Sequence, residues 1–300
     1  MSEKPYPPLV MPESVERQPV TLWSNGVALD ADLYRPREMP SAAAAVALTH
    51  GWGGSKATCE RYAAAFAQAG MVALAFTHPG WFGSGPKLHA TGVPPTAAGG
   101  EVVKADVHVI RNHIDPLDWL QNFQAAIDYL EGEPGVDPAR LGAWGTSLGG
   151  GVAMHVAAND PRIKALAVQV AIVGPLPGKG AVLARQRAID LARGKVDSTG
   201  PRLDRIPGMS GTTNLAKWAH HLVRDQAEHL RIPTLMIDAG SEEMFKLDEN
   251  CGRLHRVLAE RLGADKVRYV VIPGIDHYGI YFDGFDTGCR EAVDWFRAHL

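Results

Sequence analysis

Cysteine is scarce in this chain, with Cys59, Cys251 and Cys289 its only three in 300 residues. They lie far apart, are odd in number and make no Cys-x-x-Cys. Neither a disulfide framework nor a zinc knuckle is indicated, and each reads as a buried or idle thiol. Long hydrophobic runs are missing as well. The longest, 42–48 and 71–76, are strand-sized, whereas a membrane span needs about 20 apolar residues. Nor does one charge sign dominate: 30 Lys plus Arg stand against 33 Asp plus Glu, a formal net charge of −3. Without a block of Lys or Arg there is no electrostatic footprint for nucleic acid and no polybasic patch for a membrane surface. The first 20 residues lack a basic start followed by an apolar core, so they do not read as a secretory signal, and a cytoplasmic location is the default expectation.

What is present is a 46% hydrophobic, 21% charged composition, enough apolar material to fill the core of one large unit. An α/β fold often runs to about 200–300 residues around one sheet, so one domain with an insertion is expected rather than two. Residues 1–14 are Pro-rich and polar and read as an extended arm, with the folded domain over 15–300. From 20 to 34 two alternating runs flank Asn25-Gly26, a strong hairpin signal, so the sheet is expected to begin antiparallel. Beyond Pro40 continuous apolar runs (43–49, 71–77, 140–144, 163–170, 234–237, 267–272) alternate with helical stretches. That is the mark of a mostly parallel sheet buried on both faces under helices. The segment 171–231 breaks the rhythm. It is rich in Gly, Pro, Lys and Arg, with helical pieces near 182–192 and 215–230, and is expected to form a cap or lid over the sheet.

The chemistry gathers at loops that follow strands. Gly145-Thr146-Ser147-Leu148-Gly149 is a Gly-x-Ser-x-Gly placed between a strand and a helix, where the tight turn exposes a nucleophile. A serine hydroxyl needs a base, and a base needs an orienting acid. His277 follows the strand 267–272, and the acids of Asp238-Ala239-Gly240-Ser241-Glu242-Glu243 follow the strand 234–237. In an open parallel sheet these loops converge outside the carboxyl ends of the strands. The Gly-rich loop His50-Gly51-Trp52-Gly53-Gly54 follows another strand. The backbone amides of Trp52 and Leu148 would then form a two-donor oxyanion hole, with His50 holding the loop rather than moving a proton.

These motifs, with His78-Pro79-Gly80-Trp81-Phe82-Gly83-Ser84-Gly85, Val136-Asp137-Pro138-Ala139-Arg140-Leu141-Gly142 and Pro273-Gly274-Ile275-Asp276-His277, resemble the α/β-hydrolase superfamily. The resemblance is to the branch around dienelactone hydrolase and the Xaa-Pro dipeptidyl peptidase-like serine hydrolases, over nearly the whole chain. It implies the α/β-hydrolase fold and a Ser-His-acid hydrolase acting on esters, thioesters or amides. Dienelactone hydrolases carry a Cys nucleophile where this chain has Ser147, so their substrate does not carry over. The family commonly places an Asp about three residues past a glycine after the penultimate strand. Here that position is Glu243, so Glu243 is the favoured acid and Glu242 the second choice, ahead of Asp238 and Asp248. Asp276 adjoins His277 but is expected to point elsewhere.

The expected activity is hydrolysis of a carboxylic ester or thioester through an acyl-enzyme on Ser147, His277 and Glu243. Peptidase, amidase or acyltransferase chemistry on the same triad is the runner-up, and a non-catalytic ligand-binding protein is a further alternative. Trp81 and Phe82 are expected at the edge of the substrate pocket, although loop packing would explain them as well. His108, His113, His220 and His221 show no metal-ligand spacing, and the glycines of 51–54 do not fit a dinucleotide motif, so no metal or cofactor is expected. The expected partner is a small-molecule acyl substrate, and nothing in the charge pattern opposes a homodimer.

Overall fold

Asn25 and Gly26 both take positive φ, 48° and 75°, the conformation a two-residue hairpin turn demands. They join β1 (Val15–Ser24) to β2 (Val27–Pro36) in an antiparallel pair. The structure, a computed structural model, describes residues 5–92, 96, 99–176, 178–196 and 200–300. After the hairpin come β3 (Ala43–Thr49), α1 (Lys56–Gln68) and β4 (Val72–Phe76). Three short strands follow, β5 (Lys87–Ala90), β6 (Val107–Ile110) and β7 (His113–Ile114), and then α2 (Pro116–Glu131). The next elements are β8 (Val136–Thr146), α3 (Leu148–Asn159), β9 (Ile163–Gln169) and α4 (Gly180–Ala192). The two-residue β10 (Thr212–Thr213) and short α5 (Val223–Ala227) lead into β11 (Thr234–Ala239) and α6 (Cys251–Leu262). The chain ends on β12 (Val267–Ile272) and α7 (Phe285–His299).

Eight strands form the main sheet in the order β1-β2-β4-β3-β8-β9-β11-β12. Its first two pairings are antiparallel and the other five parallel. β3 and β4 are buried along their whole length, as parallel strands covered on both faces must be. One face packs Phe123, Ile127 and Leu130 of α2 with Val152 and Val156 of α3 and Leu254 and Leu258 of α6. The other packs Tyr62 and Phe66 of α1 with Trp295 and Phe296 of α7. Each fully buried Leu or Phe contributes about 1.5–3 kcal/mol, so these two layers carry the sheet. Asp115 starts α2 by accepting from the amides of Leu117 and Asp118, at 3.2 and 3.3 Å, with Pro116 in the first turn.

The insertion 171–231 lies between β9 and β11, as read from the sequence, but its second helical piece is broken. A 3-10 turn at Leu215–Ala219 and the five-residue α5 replace one continuous helix. The insertion is also tied down by a second excursion, 77–115, between β4 and α2: β10 pairs in parallel with β7, while β5 and β6 form a separate hairpin. Residues 177 and 197–199 of the insertion, and residues 1–4 of the expected arm, lie outside the described residues. The described part of the arm has no regular structure before β1. It sets Tyr6 edge-on against Tyr281 and stacked on Phe282, at centroid separations of 5.2 and 5.9 Å.

Candidate active site

Ser147 stands between β8 and α3 at φ 54°, ψ −123°, a conformation that costs a non-glycine residue of order 1–3 kcal/mol and persists only when its surroundings enforce it. The surroundings are legible. A Cβ at Gly145 would come within 2.4 Å of Gly149 O, and one at Gly149 within 2.4 Å of His50 O. The amide of Ser147 donates to Gln169 O (2.9 Å) and its carbonyl accepts from Ile172 N (3.0 Å). The turn is therefore clamped between the ends of β3 and β9.

His277, 2% exposed, lies on the loop after β12. Its Nε2 is 3.0 Å from Ser147 Oγ and its Nδ1 2.8 Å from Glu242 Oε2. The tautomer that satisfies both has Nδ1–H donating to Glu242 and Nε2 accepting from the serine hydroxyl. The Glu242 side chain is 1% exposed, and its second oxygen, Oε1, accepts from Met244 N at 2.9 Å, so the carboxylate is aimed from both ends. The sequence favoured Glu243; the structure puts Glu242 on the ring and Glu243 on the backbone, its Oε2 accepting His277 N–H at 2.9 Å. The cause is the path of the chain leaving β11. Gly240 N donates to Ile272 O and Ser241 N to Ile275 O, at 2.7 and 2.9 Å, which zips this loop to the exit of β12. Asp238 remains inside β11, accepting from Tyr269 Oη at 2.9 Å, and burial pushes its carboxyl up to about 7. Asp248 faces Arg256, and Asp276 accepts from Gly279 N.

Gly51 brings the loop after β3 against the nucleophile: a Cβ there would be 2.9 Å from Ser147 Cβ. Leu148 is the first residue of α3. Among the described residues neither the Trp52 amide nor the Leu148 amide donates to an intramolecular backbone acceptor. Both are thus available beside Ser147, and the helix N-terminus adds its partial positive charge. His50 is fully buried, pairing Nδ1 with Gly51 O (2.8 Å) and taking the His78 amide on Nε2 (3.2 Å). Burial lowers its pKa to about 4, so it is a neutral brace for the loop. His78 continues the brace, stacked on Trp119 at 3.7 Å and pairing Nε2 with Thr49 Oγ1 at 2.8 Å.

Trp81 is 4% exposed, donating Nε1–H to His113 O (3.2 Å) and packing on Gly211, while Phe82 is 73% exposed. Gly80 and Gly83 take positive φ in this loop, 76° and 75°. Trp52, in the loop after β3, stacks on Trp218 of the insertion at 5.8 Å. Sequence reading also missed a buried relay of hydrogen bonds. Tyr62 Oη donates to Gln169 Oε1 (2.6 Å), Gln169 Nε2 to Thr146 Oγ1 (3.2 Å), and Thr146 Oγ1 pairs with Tyr281 Oη (2.6 Å). It links the residue before Ser147 to the turn after His277. The one readable signal was Gln169, a polar side chain ending the apolar run 165–168 of β9.

A central parallel sheet begun by an antiparallel hairpin, with its serine on a strained turn between the fifth strand in spatial order and a helix, matches solved structures over almost the full chain. One is the α/β hydrolase GrgF from Penicillium sp. sh18, with a TM-score of 0.69 at 16% identity, covering 95% of this chain and 99% of that one. The fold is that of the α/β-hydrolases. Within it, the profile of the dienelactone hydrolase family matches residues 29–172, which run from the hairpin past the serine elbow. The quorum-quenching protein AidA of Acinetobacter baumannii is 31% identical over 147 residues, 49% of this chain and 41% of that protein. A thiohydrolase, apmlB of Arthrinium phaeospermum, is 35% identical over 86 residues, 27% of this chain and 26% of that protein. The chain thus spans less than half the length of either curated relative. No helix among the described residues is long and apolar enough to cross a membrane.

Proposed function

We propose that this α/β-hydrolase-fold protein is a serine hydrolase that cleaves a carboxylic ester or thioester through Ser147, His277 and Glu242. The observation that carries the reading is the unbroken chain Glu242 Oε2–His277 Nδ1 and His277 Nε2–Ser147 Oγ, at 2.8 and 3.0 Å, ending on a strained turn. His277 Nε2 takes the hydroxyl proton as Ser147 Oγ attacks the carbonyl carbon. Glu242 stabilises the imidazolium, and the amides of Trp52 and Leu148 take the oxyanion, each such donor contributing on the order of 3 kcal/mol to the barrier reduction. The imidazolium returns the proton to the departing alcohol or thiol. Water, deprotonated by His277, then releases the acid and restores the serine. The insertion 171–231 acts as the cap, with Trp218 against Trp52 as its contact with the oxyanion loop. The printed name of the thiohydrolase relative supports including thioesters.

The test is treatment with a fluorophosphonate followed by intact-mass and peptide mapping. One adduct on Ser147, absent in His277→Ala, together with turnover of short p-nitrophenyl esters, is expected. A folded protein that neither labels nor turns over ester would favour a binding protein on this scaffold.

A further inference from the structure

Residues 5–12, ahead of β1, read Pro-Tyr-Pro-Pro-Leu-Val-Met-Pro. Prolines at half of these positions hold the backbone extended, so little conformational freedom is left to lose when the segment docks. Among the described residues its backbone is fastened at one end, where Val15 N donates to Pro12 O, Arg37 N to Ser14 O and Arg37 Nε to Glu13 O, at 2.9, 2.8 and 2.9 Å. Upstream of that anchor the contacts are made by side chains. Leu9 and Met11 pack on the layer of α1 and α7. Tyr6 reaches the 3-10 turn Tyr278–Tyr281, which begins directly after His277. Its ring meets Tyr281 edge-on at 5.2 Å and lies against Phe282 at 5.9 Å, 20° from parallel. Between Tyr6, Arg61, Tyr62, Tyr281 and Phe285 about 10 Å³ stays open, the least space that holds one water.

We propose that this arm is a strap on the turn that carries His277, and that Tyr6 is a positioning residue for the hydrolysis, acting through residues 278–282 and not on the substrate. The inference rests on the hydrolase reading above. Tyr281 is the connection. Tyr6 packs against its ring, its carbonyl accepts from Arg61 Nη1 at 3.1 Å, and its hydroxyl pairs at 2.6 Å with Thr146 Oγ1, on the residue before the nucleophile. The turn thus carries His277 at one end and grips the serine elbow at the other. The separation it has to keep is the 3.0 Å between His277 Nε2 and Ser147 Oγ, and an error of about 1 Å in such a pair can cost about a hundredfold in rate. Arg61 and the buried relay hold the turn from within the fold, and Tyr6 holds it from the solvent side. Both of its contacts are made by the ring, so a Phe at this position would keep them. Tyr6 is itself 42% exposed, so its truncation opens no cavity in the core.

The test compares the full-length chain with its Tyr6→Ala and Tyr6→Phe variants. Tyr6→Ala is expected to lower kcat on p-nitrophenyl butyrate, and the rate of fluorophosphonate labelling of Ser147, by about tenfold while KM stays within about twofold, because the strap acts on the Ser147–His277 geometry and not on binding. Tyr6→Phe should keep wild-type rates. Hydrogen–deuterium exchange over residues 277–285 reads the turn without turnover, and it should quicken in Tyr6→Ala alone. A wild-type chain that neither labels nor turns over ester, with that exchange difference present, would reject the hydrolase reading and keep the arm as the brace of the turn. Labelling and kcat in Tyr6→Ala within about twofold of wild type, a change confined to KM, or an equal loss in Tyr6→Phe would overturn the proposal while leaving the hydrolase intact. Exchange over 277–285 that is the same in all three chains would overturn it whatever the activity.

Discussion

Glu242 and Glu243 divide His277 between them, one holding the ring and the other the backbone amide, and mutagenesis should separate the two duties. Glu242→Gln is expected to lower kcat by about two to four orders of magnitude, since it disturbs the tautomer and leaves the imidazolium without its counter-charge. Glu243→Gln should cost less than about tenfold, because a neutral amide oxygen still accepts an N–H; equal losses from the two, measured on one ester, would refute the division. Asp238 carries a different signature. Its folded-state carboxyl is raised from 3.8 to about 7 by burial, so the folded chain keeps a proton that the unfolded chain gives up. The cost of burying it therefore grows as pH rises from about 4 to about 7. Asp238→Asn should raise the melting temperature at pH 8, with the gain shrinking toward pH 5. At this scale Ser147 and His277 were legible in the sequence, since each sits in a local pattern beside a strand end. The acid was off by one because both neighbouring carboxylates reach His277, and which one takes the ring depends on hydrogen bonds to Ile272 and Ile275 that no local pattern encodes.

Among the elements, the serine turn has the least tolerance. A Cβ at Gly149 would meet backbone, His50 O at 2.4 Å and Thr49 O at 2.6 Å, and backbone at the end of a buried strand cannot yield as a side chain can. Gly149→Ala is expected to lose at least about 3 kcal/mol, in the range reserved for overpacking and backbone strain, and a urea melt near wild type would contradict this account of the elbow. Gln169→Leu probes the relay behind it: activity should fall while the Ser147 adduct with a fluorophosphonate still forms, more slowly, because Tyr62 and Thr146 lose their common partner. The hairpin at Asn25-Gly26, the apolar strands and the α2 stripe were readable because period and turn chemistry are local. The pairing of β7 with β10 was not, for two-residue strands leave no periodicity and their partners lie 99 residues apart in sequence. The insertion's second helix broke for a similar reason, its residues being shared between packing on α3 and on α4.

Taken as one body, the protein buries an unusual set of neutral histidines. His50 and His113 are lowered to about 4, His221 to about 3 and His78 well below its ordinary value, all chiefly by burial. Unfolding below pH 6.5 lets these rings take up protons, so the stability they secure is complete above 6.5 and is lost as pH falls toward 4. Asp238 acts in the opposite sense with a single proton, which the four histidines outweigh. The urea midpoint should therefore drop between pH 7 and pH 5, with proton uptake on unfolding detectable by calorimetry in buffers of different ionisation heat; a flat midpoint would count against neutral burial of these rings. The sheet has one more property that bears on how the molecule comes into being. From β8 outward its strands are laid down in chain order, β8, β9, β11, β12, and the base stands 130 residues after the nucleophile. On the proposed hydrolase reading, a chain emerging from the ribosome completes its elbow and central strands before the histidine that activates Ser147 is synthesised, so the serine would stay unreactive until the last strand is in place.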